Sequence, residues 1–218
     1  RYPNLWIENF GTGGYGTVQT SLLAQRAYEG FYPEDRKPQF VLMAISGSHI
    51  LRNVSHHSWV LSITNAQGLY VAPPHYRNDR GVLIFHPFQI INNWPLEFRS
   101  AGLALAHNVW LRRFRYNTAD QGVIVTREIV RRFVEFSRQR NMKFGILVTA
   151  DDSQTTGLVL SDQMFPYVDC SGPDRADPKA YLLPGNGHPN SKLHAHFAEC
   201  IGNWLDSVVI PTLKETQS

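Results

Sequence analysis

Nowhere in this sequence do apolar residues run on for the ~20 positions that a bilayer-spanning helix requires. Cysteine is scarce as well. Cys170 and Cys200 alone cannot make a disulfide-dense scaffold, and their spacing leaves pairing and free thiols equally open. An excess of one charge is nearly absent, since 21 Lys and Arg face 18 Asp and Glu for a formal +3. Arg112, Arg113 and Arg115, with the arginines between positions 127 and 140, read as a solvated helix face, so no nucleic-acid partner is expected. The opening Arg1-Tyr2-Pro3-Asn4 has no apolar h-region, which argues against a signal peptide there. Internal repeats and low-complexity tracts are missing. What is present is an ordinary globular composition, 43% apolar and 18% charged over 218 residues, enough for one domain with a proper core.

The most informative stretch is Leu183-Pro184-Gly185-Asn186-Gly187-His188-Pro189-Asn190. Its Gly and Pro residues hold the backbone in a defined turn. A helix follows at once, with Leu193, Phe197, Ala198, Ile201, Trp204 and Leu205 at helical spacing. Asn190 or Ser191 is its expected N-cap. His188 therefore sits on a loop pinned by a core helix, where an imidazole is immobile and titrates near neutral pH. A loop histidine that is merely solvated has the same local appearance, so the distinction rests on a second stretch.

Residues 5–10 read as a strand with nothing in front of it, as though the chain were entered in mid-domain. Gly11-Thr12-Gly13-Gly14-Tyr15-Gly16-Thr17 follows, then a helical pattern through Val18, Leu22, Leu23 and Tyr28. Strand, glycine-rich turn and helix begin a βα unit, and such glycines bring backbone N–H groups close to a ligand. The turn departs from the dinucleotide pattern G-x-G-x-x-G, and no acidic ribose partner follows a second strand, so nucleotide binding is the least favoured reading. The apolar run 40–45 has the pattern of a strand buried on both faces. It stops at Ser46-Gly47-Ser48-His49, placing those groups at a sheet's C-terminal edge, where α/β proteins bind ligands.

Residues 56–120 are irregular and rich in aromatics, and Pro73-Pro74, Pro87 and Pro95 interrupt them. They read as an insertion or lid, with β-like pieces at 59–63 and 82–85 and a helix over 103–114. Packing accounts for the aromatics more readily than substrate contact. Thr126 is the expected N-cap of an amphipathic helix running to Arg140, with Ile129, Val130, Phe133, Val134 and Phe136 inward. Residues 144–149 read as a second buried strand and 165–169 as a short last one. This alternation predicts an α/β protein of three layers around a mainly parallel sheet.

Asn9-Phe10-Gly11-Thr12-Gly13-Gly14-Tyr15-Gly16-Thr17 resembles the second conserved block of the GDSL/SGNH hydrolases. Gly187-His188-Pro189-Asn190, with His194 six residues after His188, resembles their last block. The two lie in the family's order, and nearly the whole chain fits between them. The resemblance implies a flavodoxin-like α/β/α sandwich: a single domain over 1–218 that lacks its first strand and carries 56–120 as an insertion. It also implies cleavage or transfer of ester-linked acyl groups, often O-acetyl groups on glycans. In that chemistry a serine hydroxyl attacks the carbonyl, a histidine takes its proton and backbone donors stabilise the oxyanion. His188 resembles the general base and Gly14 the oxyanion glycine, with Gly13 in that role if the turn registers differently. No metal or cofactor is expected, and the partner would be a small-molecule or glycan ester. Relatives that modify glycans are commonly exported, so a secreted or periplasmic location is the expectation.

The chain departs from the family pattern in three places. The Gly-Asp-Ser nucleophile block belongs before the glycine block, so the nucleophile is expected upstream of Arg1, on the same chain or on a separate N-terminal polypeptide that completes the fold. Asn186 stands where the family has an aspartate, and it can orient a histidine without stabilising imidazolium by charge. Ser48 matches the block-three asparagine. His49 beside it either takes over part of the oxyanion role or is structural. Ser153, in Ala150-Asp151-Asp152-Ser153, superficially mimics a nucleophile block, but the resulting block order fits no simple circular permutation, so it reads as a decoy in a polar loop. The reading is an SGNH-like ester hydrolase or acyltransferase. The alternative is a weakened or inactive relative that binds a glycan or a protein.

Overall fold

In chain order the elements are helix α1 (Thr17–Gly30), strand β1 (Phe40–Ser46), helices α2 (Gly47–Asn53) and α3 (His57–Ser62), and strands β2 (Tyr70–Ala72), β3 (His75–Asp79), β4 (Val82–His86) and β5 (Gln89–Ile91). Helices α4 (Ala101–Trp110) and α5 (Ala119–Arg138) follow, then strands β6 (Lys143–Ala150) and β7 (Tyr167–Asp169). Two short helices, α6 (Pro173–Ala176) and α7 (Pro178–Tyr181), precede α8 (Ser191–Trp204). This computed structural model describes residues 6–63, 69–115, 119–150, 157, 160–161, 166–185 and 188–211. The fold is mixed α/β, and the chain divides into two units, Arg1–Lys37 with Ser48–Val130 and Pro38–Gly47 with Arg131–Ser218.

The second unit is built on a parallel sheet in the order β1-β6-β7. Phe40 lies beside Lys143 and Ile45 beside Val148, while Tyr167 pairs with Ile146. Both expected apolar runs therefore become neighbouring strands. Ile45, Ile146 and Val148, on one face of the sheet, are buried to 1% exposure or less. On the other face Leu147 of β6 is buried but Ala44 of β1 is exposed, so the expected burial on both faces holds for β6 and not for β1. Phe133 of α5 packs on Phe144, and Leu193, Gly202 and Trp204 are the buried residues of α8. A Cβ on Gly145 would lie 2.5 Å from the Trp204 ring, so only glycine lets that indole settle on β6. Cys170 and Cys200 form a disulfide, which ties the end of β7 to α8.

The first unit has two apolar clusters. One joins Val18, Val54, Val125 and Ile129; the other joins Val60, Ala72, Ile91 and Leu111. Strands β3 and β4 form a hairpin, closed by Arg80 and Gly81 at φ 49° and 89°, and β2 pairs antiparallel with β5. Beside the second cluster a carboxylate is buried. Glu97 accepts hydrogen bonds from Tyr70 Oη (2.8 Å), the Trp94 backbone N–H (3.0 Å) and His107 Nδ1 (2.7 Å). Burial alone would raise the Glu97 pKa; the bonds from His107, Tyr70 and Trp94 outweigh it and hold the group below its usual range. Burial and the same carboxylate push Tyr70 up to about 12.

Three expectations are corrected. Residues 59–63 are not a strand: α3 covers His57–Ser62, with the His56 side chain as its N-cap. Residues 6–10 form no strand, and Trp6 and Ile7 are 80% and 69% exposed. Extended chain without a neighbour leaves its ladder groups to water. Thr126 is not an N-cap, because α5 starts at Ala119 and the Thr126 hydroxyl donates to Gly122 O inside the helix at 2.7 Å.

Two stability predictions follow from these contacts. The disulfide spans 30 residues, so replacing both cysteines with serine is expected to lower unfolding free energy by about 3 kcal/mol, read by urea titration with and without reductant. Glu97→Ala leaves His107, Tyr70 and Trp94 without their shared acceptor and is expected to cost about 3–5 kcal/mol. A loss below about 1 kcal/mol would show that the network is not fully desolvated.

Candidate functional site

The glycine turn is shaped by its own side chains before anything packs on it. Asn9 Oδ1 accepts from Gly11 N–H, and Tyr15 N–H donates back to Thr12 O at 3.2 Å. Gly14 takes φ 82°, a left-handed value that favours glycine, and Gly13 meets nothing within 4 Å. Both are exposed. Gln19 Oε1 then accepts from Gly16 N–H, starting α1. At Gly16 the turn meets α2. A Cβ there would lie 2.8 Å from Asn53 Oδ1 and 2.9 Å from Arg52 Cβ, so this glycine is needed for close approach.

Helix α2 supplies what grips the turn. Fully buried Asn53 accepts from Val18 N–H at 3.0 Å and donates to Thr126 Oγ1 at 2.8 Å. Arg52 donates from Nη1 to Tyr15 O at 2.9 Å, and its guanidinium lies 4.5 Å over the Trp59 ring. The same indole passes 3.9 Å from the Cβ position of Gly14. Ser48 is exposed in the first turn of α2, and His49 is half-buried beside it. Burial first, and the Arg52 charge second, lower His49 to about 4, so the ring is neutral at pH 7. Its Nδ1 is sealed from solvent without a hydrogen-bond partner. Gly13, Gly14, Ser48 and His49 thus belong to one unit, with the turn bound directly to α2.

His188 belongs to the other unit. Its loop is held by backbone bonds: Leu183 N–H to His188 O (2.7 Å), Asn190 N–H to Tyr181 O (2.9 Å) and a bridge between Leu182 and Pro189. Asn190 caps α8 through Oδ1, which accepts from Lys192 and Leu193 N–H, while its Nδ2 donates to Ala180 O. The imidazole of His188 is exposed at the edge of this fixed loop. Asn186 and Ser153 lie outside the described residues.

Residue spacing carried a signal that the motif search passed over. His49, Arg52 and Asn53 stand at i, i+3 and i+4, on one face of α2. Among the described residues no group of three or more His, Cys, Asp or Glu could hold a metal ion, and no helix is long and apolar enough to cross a membrane. Comparison with protein-family models, with curated proteins and with solved structures finds no match.

The lowered His49 value sets a pH dependence. The unfolded chain takes up a proton near pH 6.5 while the folded site resists it down to about 4, so stability is full above 6.5 and falls across that window. One such group contributes a slope of at most ~1.4 kcal/mol per pH unit. His49→Gln is expected to flatten the fall, measured by urea unfolding at pH 7, 6, 5 and 4.5. His56 and His57, also lowered by burial and by Arg112, keep a residual slope of the same sign.

Proposed function

We propose that the protein is an SGNH-like serine ester hydrolase or acyltransferase acting on small-molecule or glycan acyl esters, within a flavodoxin-like α/β/α sandwich. The observation that supports this reading is the fixing of the family-like glycine turn by a neighbouring helix of the first unit. The glycine turn is clasped by α2, the helix that bears Ser48 and His49. A left-handed glycine with its neighbours exposed is what a backbone oxyanion donor needs, because the donor must be fixed before charge develops. The parallel β1-β6-β7 sheet and the buttressed His188 loop agree with it.

In this scheme a serine in a Gly-Asp-Ser block, on chain preceding Arg1 or on a separate polypeptide, attacks the ester carbonyl. His188 accepts the hydroxyl proton and returns it to the leaving alcohol. Water, deprotonated by the same imidazole, then frees the acyl group. Gly14 N–H, with Ser48 or His49, donates to the oxyanion. Asn186 orients His188 without offsetting imidazolium charge, so turnover is expected to be slow.

The substitutions at Asn186 and Ser48 favour a second reading, a non-catalytic relative that binds a glycan or a protein. Fluorophosphonate labelling of the full-length gene product, mapped by mass spectrometry, separates the two. The hydrolase reading expects an adduct on a serine before the Gly11 turn, and a loss of at least 100-fold in aryl-acetate hydrolysis in His188→Ala. No adduct and no hydrolysis would leave the binder. An adduct on Ser153 would overturn its reading as a decoy.

A further inference from the structure

We propose that the first unit carries a recognition subsite for an oxoanion on the substrate (a carboxylate, sulfate or phosphate group), with Arg52 as its binding residue beside the glycine turn. The inference rests on the ester-hydrolase reading and narrows its substrate to acidic esters.

Arg52 is half-buried, and among the described residues no carboxylate pairs with it. Its position is nonetheless fixed by the Tyr15 carbonyl on one side and the Trp59 indole on the other. A guanidinium withdrawn from water without a counter-charge is costly, and a planar fork held in one orientation suits bidentate capture of an oxoanion. Its Nε is sealed and lacks an acceptor.

The same neighbourhood holds other unused polar atoms. Thr17 is fully buried with no partner for Oγ1, and Trp59 Nε1 and His49 Nδ1 are likewise sealed and unpartnered. Structures rarely leave such groups unsatisfied without a reason. Thr17 also opens the 14-residue α1, whose N-terminal dipole favours negative charge. Further positive potential comes from Arg112, which acts on His56 and His57 of α3 and likewise has no carboxylate partner among the described residues. A purely structural Arg52 gives no account of why these neighbouring polar atoms are left unpartnered together.

The test uses full-length protein and two independent readouts. Calorimetric titration compares a galacturonate trimer, a sugar 6-sulfate and a sugar 6-phosphate with neutral xylotriose. At least one anion is expected to bind ten-fold or more tightly than xylotriose, with affinity falling as salt rises. Arg52→Gln is expected to abolish that preference and Arg52→Lys to weaken it. Which ligand wins identifies the group. Phenylglyoxal modification of the unaltered protein, mapped by mass spectrometry, needs no variant to fold: the winning anion should protect Arg52 while leaving Arg127 reactive. Equal binding of charged and neutral ligands, or no protection, overturns the subsite. Hydrolysis of acetylated polygalacturonate and acetylated xylan is measured in parallel. Arg52-dependent anion binding without any hydrolysis would sink the hydrolase reading and keep the subsite, whereas hydrolysis reduced equally on both polymers by Arg52→Gln would do the reverse.

Discussion

A single buried amide sets the geometry of the first unit. Asn53 is fully enclosed, and each end of its side chain is committed, Oδ1 to the Val18 N–H and Nδ2 to the Thr126 hydroxyl. A buried amide with both ends satisfied defines distances as well as energy, because moving either partner strands a polar group in an apolar setting. Three helices are fixed by it: the start of α1, the last turn of α2 and the middle of α5. The closeness this imposes explains two glycines. Gly16 has Asn53 Oδ1 against its Cβ position, and at Gly122 a Cβ would meet the Ile50 carbonyl at 2.7 Å. The glycine turn keeps its shape because α2 cannot retreat from it.

What the sequence disclosed depended on how local the cause was. Strands β1 and β6 were legible because each is a short, unbroken apolar run rich in β-branched and aromatic residues. The cap of α8 was legible because Asn190 acts on N–H groups two and three residues ahead. Helix α3 was missed because Trp59, Val60 and Ile63 carry strand-like propensities that the capping of a short helix overrides. The start of α5 was misplaced because a threonine that bonds back into its helix looks, in sequence, like one that begins it. Arg52 was passed over for a different reason. Its meaning depends on Tyr15, 37 positions away, and on an indole whose local pattern suggested a strand.

Two charged groups in this unit, buried Glu97 and half-buried Arg52, are answered in different ways. Around Glu97 three donors converge on one carboxylate, and the charge is answered from within the fold. Trp94 stacks on His107 at 4.9 Å and closes the assembly further. Such a network stiffens the first unit, although His107 Nε2 is itself buried without a partner. Around Arg52 the account does not close: one donor is used, one is sealed and idle, and the charge faces no acid among the described residues. A half-buried charge without an acid in the fold stays available to solvent or to an anionic ligand.

The same reasoning bears on the oxyanion machinery. Where the resembled family has an asparagine with a free N–H₂ group, this chain has an exposed hydroxyl at Ser48 and a neutral imidazole at His49 with Nδ1 sealed. Neither is equivalent to that amide, since a hydroxyl supplies one proton with a rotating direction and His49 has only its other nitrogen to offer. Under the proposed hydrolase reading, more of the developing charge falls to the Gly14 N–H. Arg52 is in contact with the same Trp59 that borders Gly14. In the proposed scheme the two tasks are divided: Arg52 holds an oxoanion of the substrate, and the developing oxyanion is left to the backbone of the glycine turn.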